Sequence, residues 1–326
     1  MSNLKAIPSW GGLLLSTLLI SILAGCASAP QTALLLKQQS LEHTQRLPQK
    51  HELTQVPFYP QKEYQCGPAA LATVLQQSGV NISPLELVPE IYIPARKGSL
   101  QIEILAASRR HGRIAYRINP DLQSLFKEVS AGNPVLVLQN LGLSWAPTWH
   151  YAVVAGFDFT SEKVILRSGI IERHQTSLGK FERTWARGRY WGIVVLPPDK
   201  LPVTADAERY VKTVAALEKI NRWQDANTAY NTALKRWPGN LIAQMGLGNS
   251  YYRLKNLPAS EQAFRSASIE HPDFGPAHNN LAQVLLEQGK ILEAKSHVQR
   301  AIDIGGPQLE NYQDTLREIN QQQKLK

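Results

Sequence analysis

Three regimes of hydropathy follow one another along the chain. The first is an apolar stretch over about residues 10–23, preceded by a short segment whose one positive charge is Lys5. It is too short for a permanent membrane-spanning helix and gives way to a Gln/Thr/Ser-rich stretch reaching about residue 52. In the second regime, Leu71, Val74 and Leu75 follow Pro68 at helical spacing, which predicts a helix with one buried face. Near-continuous apolar runs over 134–138, 150–158, 163–167 and 190–196 then read as buried strands. A helix followed by mostly antiparallel strands is an α+β pattern. The third regime, from about residue 205, is helical throughout and is set off by Pro197, Pro198 and Pro202.

Self-similarity organises the third regime. Ala233, Ala267 and Ala301 stand 34 residues apart, as do Ala226, Ser260 and Ala294, and Tyr230, Phe264 and Val298. Pro238 and Pro272 keep the same step. A 34-residue period is that of the tetratricopeptide repeat, a helix–turn–helix unit, and about three units form the smallest stable solenoid. The middle unit carries the consensus at Leu247, Gly248, Tyr251, Phe264, Ala267 and Pro272, whereas the first is degenerate in its opening helix. A polar Gln/Lys-rich tail would cap the last. The expected organisation is therefore a tether over 26–52, an α+β domain over 53–198 and an all-α repeat solenoid over 205–326.

Composition narrows the function. With 43% hydrophobic and 19% charged residues the chain can bury a core. The formal charge of +9 lacks a long Lys/Arg run, zinc spacing or an RNA-binding motif, so a basic surface facing anionic lipid or envelope polymers is the expectation rather than nucleic acid. No metal, nucleotide or flavin motif is visible, and no cofactor is expected. The two cysteines, Cys26 and Cys66, sit in separate motifs. Leu23-Ala24-Gly25-Cys26 closes the apolar stretch and resembles a bacterial lipobox. That resemblance implies a signal peptide over 1–25, diacylglycerol on Cys26, and membrane attachment through the lipid. Ala27 after the cysteine would, in a diderm, favour the periplasmic face of the outer membrane. Cys66 is then a lone thiol.

Its surroundings suggest chemistry. Gln65-Cys66-Gly67-Pro68 places Cys66 at the start of the predicted helix, where Pro is favoured and where free N–H groups stabilise a thiolate. A cysteine nucleophile needs a base. Of the eight histidines only His150 immediately precedes a strongly apolar run, at the mouth of a predicted strand. Trp145, Trp149, Trp185 and Trp191 are candidates for a groove near it and, equally, for the core.

Gln61 and Cys66-Gly67-Pro68-Ala69-Ala70-Leu71, followed by His150-Tyr151-Ala152-Val153-Val154-Ala155-Gly156-Phe157-Asp158, resemble the bacteriocin-processing cysteine peptidases and their papain-like relatives. The resemblance implies a papain-like α+β domain in which Cys66 is the nucleophile, His150 the general base, and Gln61 with the Cys66 N–H the oxyanion hole. Two departures stand out. Gln61 is one residue closer to the cysteine than the family's glutamine, and Ser168 occupies the place of the family's Asp or Asn. A serine can orient an imidazole but cannot stabilise imidazolium by charge, and Asp158 ends the same strand as His150. The expected function is a lipid-anchored envelope cysteine peptidase acting on peptide or protein substrates, with the repeats recruiting a protein partner. The alternative is a non-enzymatic scaffold that binds peptides. Cleavage of double-glycine leaders, the work of a cytoplasmic domain on an export transporter, is not expected.

Overall fold

The structure, a computed structural model, describes residues 29–40, 47–61 and 65–324. The expected signal segment and Cys26 lie outside the described residues. Among those described, no helix is long and apolar enough to cross a membrane.

A seven-stranded antiparallel sheet forms the centre of the first domain. Its strands are β1 (Lys50–Glu52), β2 (Ile114–Arg117), β3 (Val135–Asn140), β4 (Trp149–Asp158), β5 (Lys163–Ser168), β6 (Ile171–Ser177) and β7 (Gly192–Leu196). Their order is β2-β7-β3-β4-β5-β6, and β1 pairs with the far half of β4, at Gly156 to Asp158. Because successive side chains point to opposite faces, the apolar runs of β3, β4 and β7 feed two cores. Leu136, Tyr151, Val153 and Ile193 meet α2 (Cys66–Gln77), α3 (Pro84–Ile91) and α4 (Gln101–Arg110) through Leu71, Leu75, Leu87 and Ile104. Val135, Val137, Ala152, Val154 and Val194 meet α5 (Leu122–Ser130) and α6 (Leu178–Arg187) through Phe126, Phe181 and Trp185. Burying both faces explains why these strands are continuously apolar rather than alternating. The predicted strand over 190–196 begins only at Gly192, because Arg189 and Tyr190 take left-handed conformations.

Within the segment expected to be a tether, described residues form secondary structure. Residues Pro30–Ser40 form helix α1, and β1 continues into the sheet. The reason is a buried carboxylate: Glu182 on α6 accepts from the backbone N–H of Gln31 at 2.9 Å and of Thr32 at 2.6 Å. It caps donors that a helix N-terminus leaves without partners. The Gln31 side chain also accepts from Leu122 N at 2.8 Å.

The Pro-rich boundary near residue 200 is stapled in the same manner. Glu128, fully buried, accepts from Thr204 N at 2.8 Å and Thr204 Oγ1 at 2.6 Å. Beyond it run α7 (Ala207–Glu218), α8 (Trp223–Arg236), α9 (Leu241–Arg253), α10 (Leu257–Glu270), α11 (Gly275–Glu287), α12 (Ile291–Ile304) and α13 (Leu309–Lys324). They form three antiparallel pairs and a capping helix. The degenerate opening helix of the first repeat, α7, buries Tyr210, Val211 and Val214 in one core with Ile114 and Tyr116 of the sheet domain. Departure from the consensus here reflects a face turned to the sheet domain rather than to another repeat. Deeper in the solenoid, a side chain at Gly248 would put Cβ 2.5 Å from the Phe264 ring, so glycine permits the close helix approach that the repeat requires. Tyr312, Thr315 and Ile319 of α13 are buried and close the last unit.

Replacing Glu182 with Ala is expected to lower stability by about 1–3 kcal/mol and to expose residues 29–40 to limited proteolysis. Unchanged protection of that segment would mean that packing alone holds α1.

Candidate functional site

Cys66 is the first residue of α2, and its thiol lies against the open end of β4. Backbone N–H groups of Tyr151, Gly67 and Cys66 itself point at the sulfur and favour a thiolate. Burial opposes them and prevails, pushing the thiol above its ordinary range. Gly67 keeps this junction tight: a Cβ there would sit 2.3 Å from Ser99 Oγ. Ser99 Oγ is buried and makes no hydrogen bond, although it faces the same cleft as Cys66.

His150 pairs with Gln139 across β3 and β4, one residue before the Tyr151 whose N–H reaches the sulfur. Its Nε2 lies 2.8 Å from Ser168 Oγ at the end of β5. Ser168, the candidate third member, is thus in hydrogen-bond reach of the imidazole. Burial, reinforced by the nearby His174, pulls the His150 imidazole down to about 4. Thiol and imidazole are thus both neutral at pH 7. For His150 to act as a base on a thiol, Nε2 must donate to Ser168 and leave the Nδ1 lone pair open.

Gln61 also lines the cleft. Its backbone N–H donates to Gly169 O at 2.9 Å and its Nε2 approaches Tyr151 O at 3.5 Å. The Gln65 side chain makes no cap on α2. The cleft encloses about 800 Å³, and Cys66, His150, Gln61 and Trp149 share it. Of the other tryptophans weighed as groove residues, Trp185 and Trp191 are buried in the two cores, and Trp145 is 82% exposed. Asp158 turns its carboxylate to Thr160 N and Ser161 N, at 3.0 and 3.1 Å, at the far end of β4.

The sequence reading passed over Arg167. Buried beside Ser168, it donates from Nε to Val56 O at 3.1 Å and from Nη1 to Glu172 O at 3.0 Å. Nη2 reaches Thr54 O at 3.4 Å. The guanidinium thereby fixes the strand that carries Ser168 to the segment leading into Gln61. Its only signal in the sequence is an arginine inside an apolar strand. Ser99 had no signal at all, since nothing local marks the approach of its loop to Gly67.

Two outcomes follow from this electrostatic balance. A carboxylate near an imidazole raises its pKa by about 1–3 units, so Ser168→Asp should shift His150 upward and speed iodoacetamide alkylation of Cys66 at pH 7 by about tenfold or more. An unchanged rate would show that position 168 does not govern the pair. Unfolded histidine titrates near 6.5 and native His150 near 4. Between these values the unfolded chain binds more protons, so stability falls on acidification across that window. Urea unfolding at pH 7 and 4.5 should show His150→Gln losing about 2–3 kcal/mol less than the parent chain. Equal acid sensitivity would contradict the burial argument.

Comparison with known proteins agrees with both halves. Residues 53–191 match the model of the peptidase C39-like family, and residues 214–273 match that of the tetratricopeptide repeat. No curated protein matches the chain. Among solved structures, a C39-like peptidase from Bacillus anthracis is similar at 20% identity, over 45% of this chain and 97% of that one, with a TM-score of 0.39. The Yersinia enterocolitica secretion chaperone SycD, in complex with a peptide of the translocator YopD, is similar at 14% identity. That likeness covers 36% of this chain and 93% of the chaperone, with a TM-score of 0.34. The TPR2B domain of yeast Sti1 gives 17% identity, 36% and 97% coverage and a TM-score of 0.35. Residues 53–191 are thus similar to the peptidase C39-like family, and residues 214–273 to the tetratricopeptide repeat.

Proposed function

We propose that the chain is a cysteine peptidase of the cell envelope, anchored by lipid on Cys26, which hydrolyses peptide or protein substrates while its repeats hold a partner or substrate. The observation that carries this reading is the convergence in one cleft of Cys66 at a helix N-terminus, His150 steadied by Ser168, and the Gln61 side chain. In the reaction, His150 takes the thiol proton as sulfur attacks the scissile carbonyl. The Gln61 amide and the Cys66 N–H then receive the developing oxyanion. His150 returns the proton to the leaving amine, and water attack on the thioester, with His150 again as base, releases the acid and restores the thiol.

The anchor is compatible with this work. Ala29, three residues beyond Cys26, lies against Gly179 at the start of α6, and Gly188 just past its other end lines the cleft. A ten-residue helix spans roughly 15 Å, so lipid on Cys26 would attach the domain away from its cleft.

One observation favours a second reading. With the thiol raised and the imidazole lowered, no thiolate–imidazolium pair is present at rest, and a scaffold that only binds peptides would need none. Mass spectrometry of a peptide library incubated with the lipid-free chain separates the two. The peptidase reading expects cleavage by the parent chain and its loss, by about a thousandfold or more, in Cys66→Ala and His150→Ala. Intact peptides with all three would leave the scaffold.

A further inference from the structure

The second repeat departs from its consensus at one buried position. Of the pattern Trp-x-x-Leu-Gly-x-x-Tyr, Leu247, Gly248 and Tyr251 are in place, but Gln244 stands where the tryptophan belongs. Tyr210 and His278 hold the same position in the repeats before and after, each one 34-residue step away. All three side chains are buried. Beside Gln244 a cavity of about 310 Å³ lies between α8, α9 and α10. Gln262 and Glu270 at its rim are exposed, so it opens to solvent, and it is many times the space one water needs.

The third repeat shows what the second lacks. His278 Nε2 donates to Pro272 O at 3.1 Å, just as Gln244 Nε2 donates to Pro238 O at 3.1 Å. A neutral ring that donates from Nε2 accepts at Nδ1, and the partner there is His297 Nδ1 at 3.3 Å. One step before His297 stands Ala263, which lines the cavity. Gln244 Oε1 is accordingly buried with no hydrogen-bond partner. Other buried polar atoms lack one too, Tyr210 Oη among them. Gln244 differs in having a cavity beside it and a neighbouring repeat that displays the missing group, a nitrogen donor on a side chain.

The rest of the lining gives the charge and shape of the occupant. Glu270 is the one charged residue that lines the cavity, among the described residues. Its carboxylate lies by the turn at Gly239, where a Cβ would come 3.3 Å from Oε2. Leu234 and Leu247 add apolar wall. A donor-only fork on an apolar stem matches such a site, and that is the arginine side chain. We propose that this cavity takes an arginine of a partner protein, its guanidinium donating to Gln244 and meeting the Glu270 carboxylate. The proposal names the partner chemistry of the repeats and rests on the proposed function only for the partner's being a protein.

Ligand-observed nuclear magnetic resonance on the lipid-free full chain tests it with N-acetyl-arginine methylamide and the uncharged citrulline counterpart. The arginine probe should bind about fivefold more tightly than the citrulline probe. Glu270→Gln should erase that preference without moving the melting temperature, because the side chain is exposed. Ala263→His supplies from within the imidazole that the third repeat has. It should weaken the arginine probe by about tenfold or more while the melting temperature stays level or rises, since a buried acceptor gains its partner. Equal binding of the two probes, a preference that survives Glu270→Gln, or arginine binding that survives Ala263→His overturns the proposal. Cys66 takes no part in these readouts, so their failure leaves the peptidase reading standing, and failure of peptide cleavage leaves them unchanged.

Discussion

Burial of a thiol and an imidazole in one cleft, with no carboxylate among the described residues that line it, sets the terms for the rest of the domain. The junction exists because α2 starts against the mouth of β4, where the Tyr151 N–H reaches the Cys66 sulfur. Each surrounding feature keeps that contact in place. Gly67 lets the Ser99 loop close over the helix start. Arg167 ties the Ser168 strand to the segment that brings in Gln61. The two apolar cores hold β4 from both sides. Removing water strengthens the backbone N–H groups at the sulfur, and it also makes either charged form costly.

A papain-like centre with a carboxylate or amide third member can keep its charged pair ready. Here Ser168 fixes the imidazole by hydrogen bonding alone. If the proposed peptidase reading holds, proton transfer would accompany attack, because substrate would bring sulfur and base into play together.

Much of this was legible in the residues, and the exceptions have physical reasons. Cys66, His150, Gln61 and Ser168 sit in local motifs, and a 34-residue period survives any folding detail, so these candidate residues and the solenoid could be singled out directly. The segment 26–52 could not. Its helix depends on Glu182, more than a hundred residues away, and a polar stretch looks like a tether until that carboxylate is found. The boundary near residue 200 was marked by its prolines, but the contacts across it were not, since Glu128 and Tyr116 reach to Thr204 and Asp206. The tryptophans split between core and cleft according to tertiary packing, which hydropathy does not encode. Arg189 and Tyr190 shortened a predicted strand because the chain bends there to present the cleft wall.

The state of His150 is the hinge of the account, and nuclear magnetic resonance of its imidazole nitrogens across a pH titration reads it directly. The account predicts a neutral ring down to about pH 5, titrating near 4, with the proton on Nε2 toward Ser168 and the Nδ1 lone pair free. A ring that titrates at 6.5 or above, or that carries its proton on Nδ1, would contradict a buried imidazole held by Ser168 with Nδ1 free to act as a base.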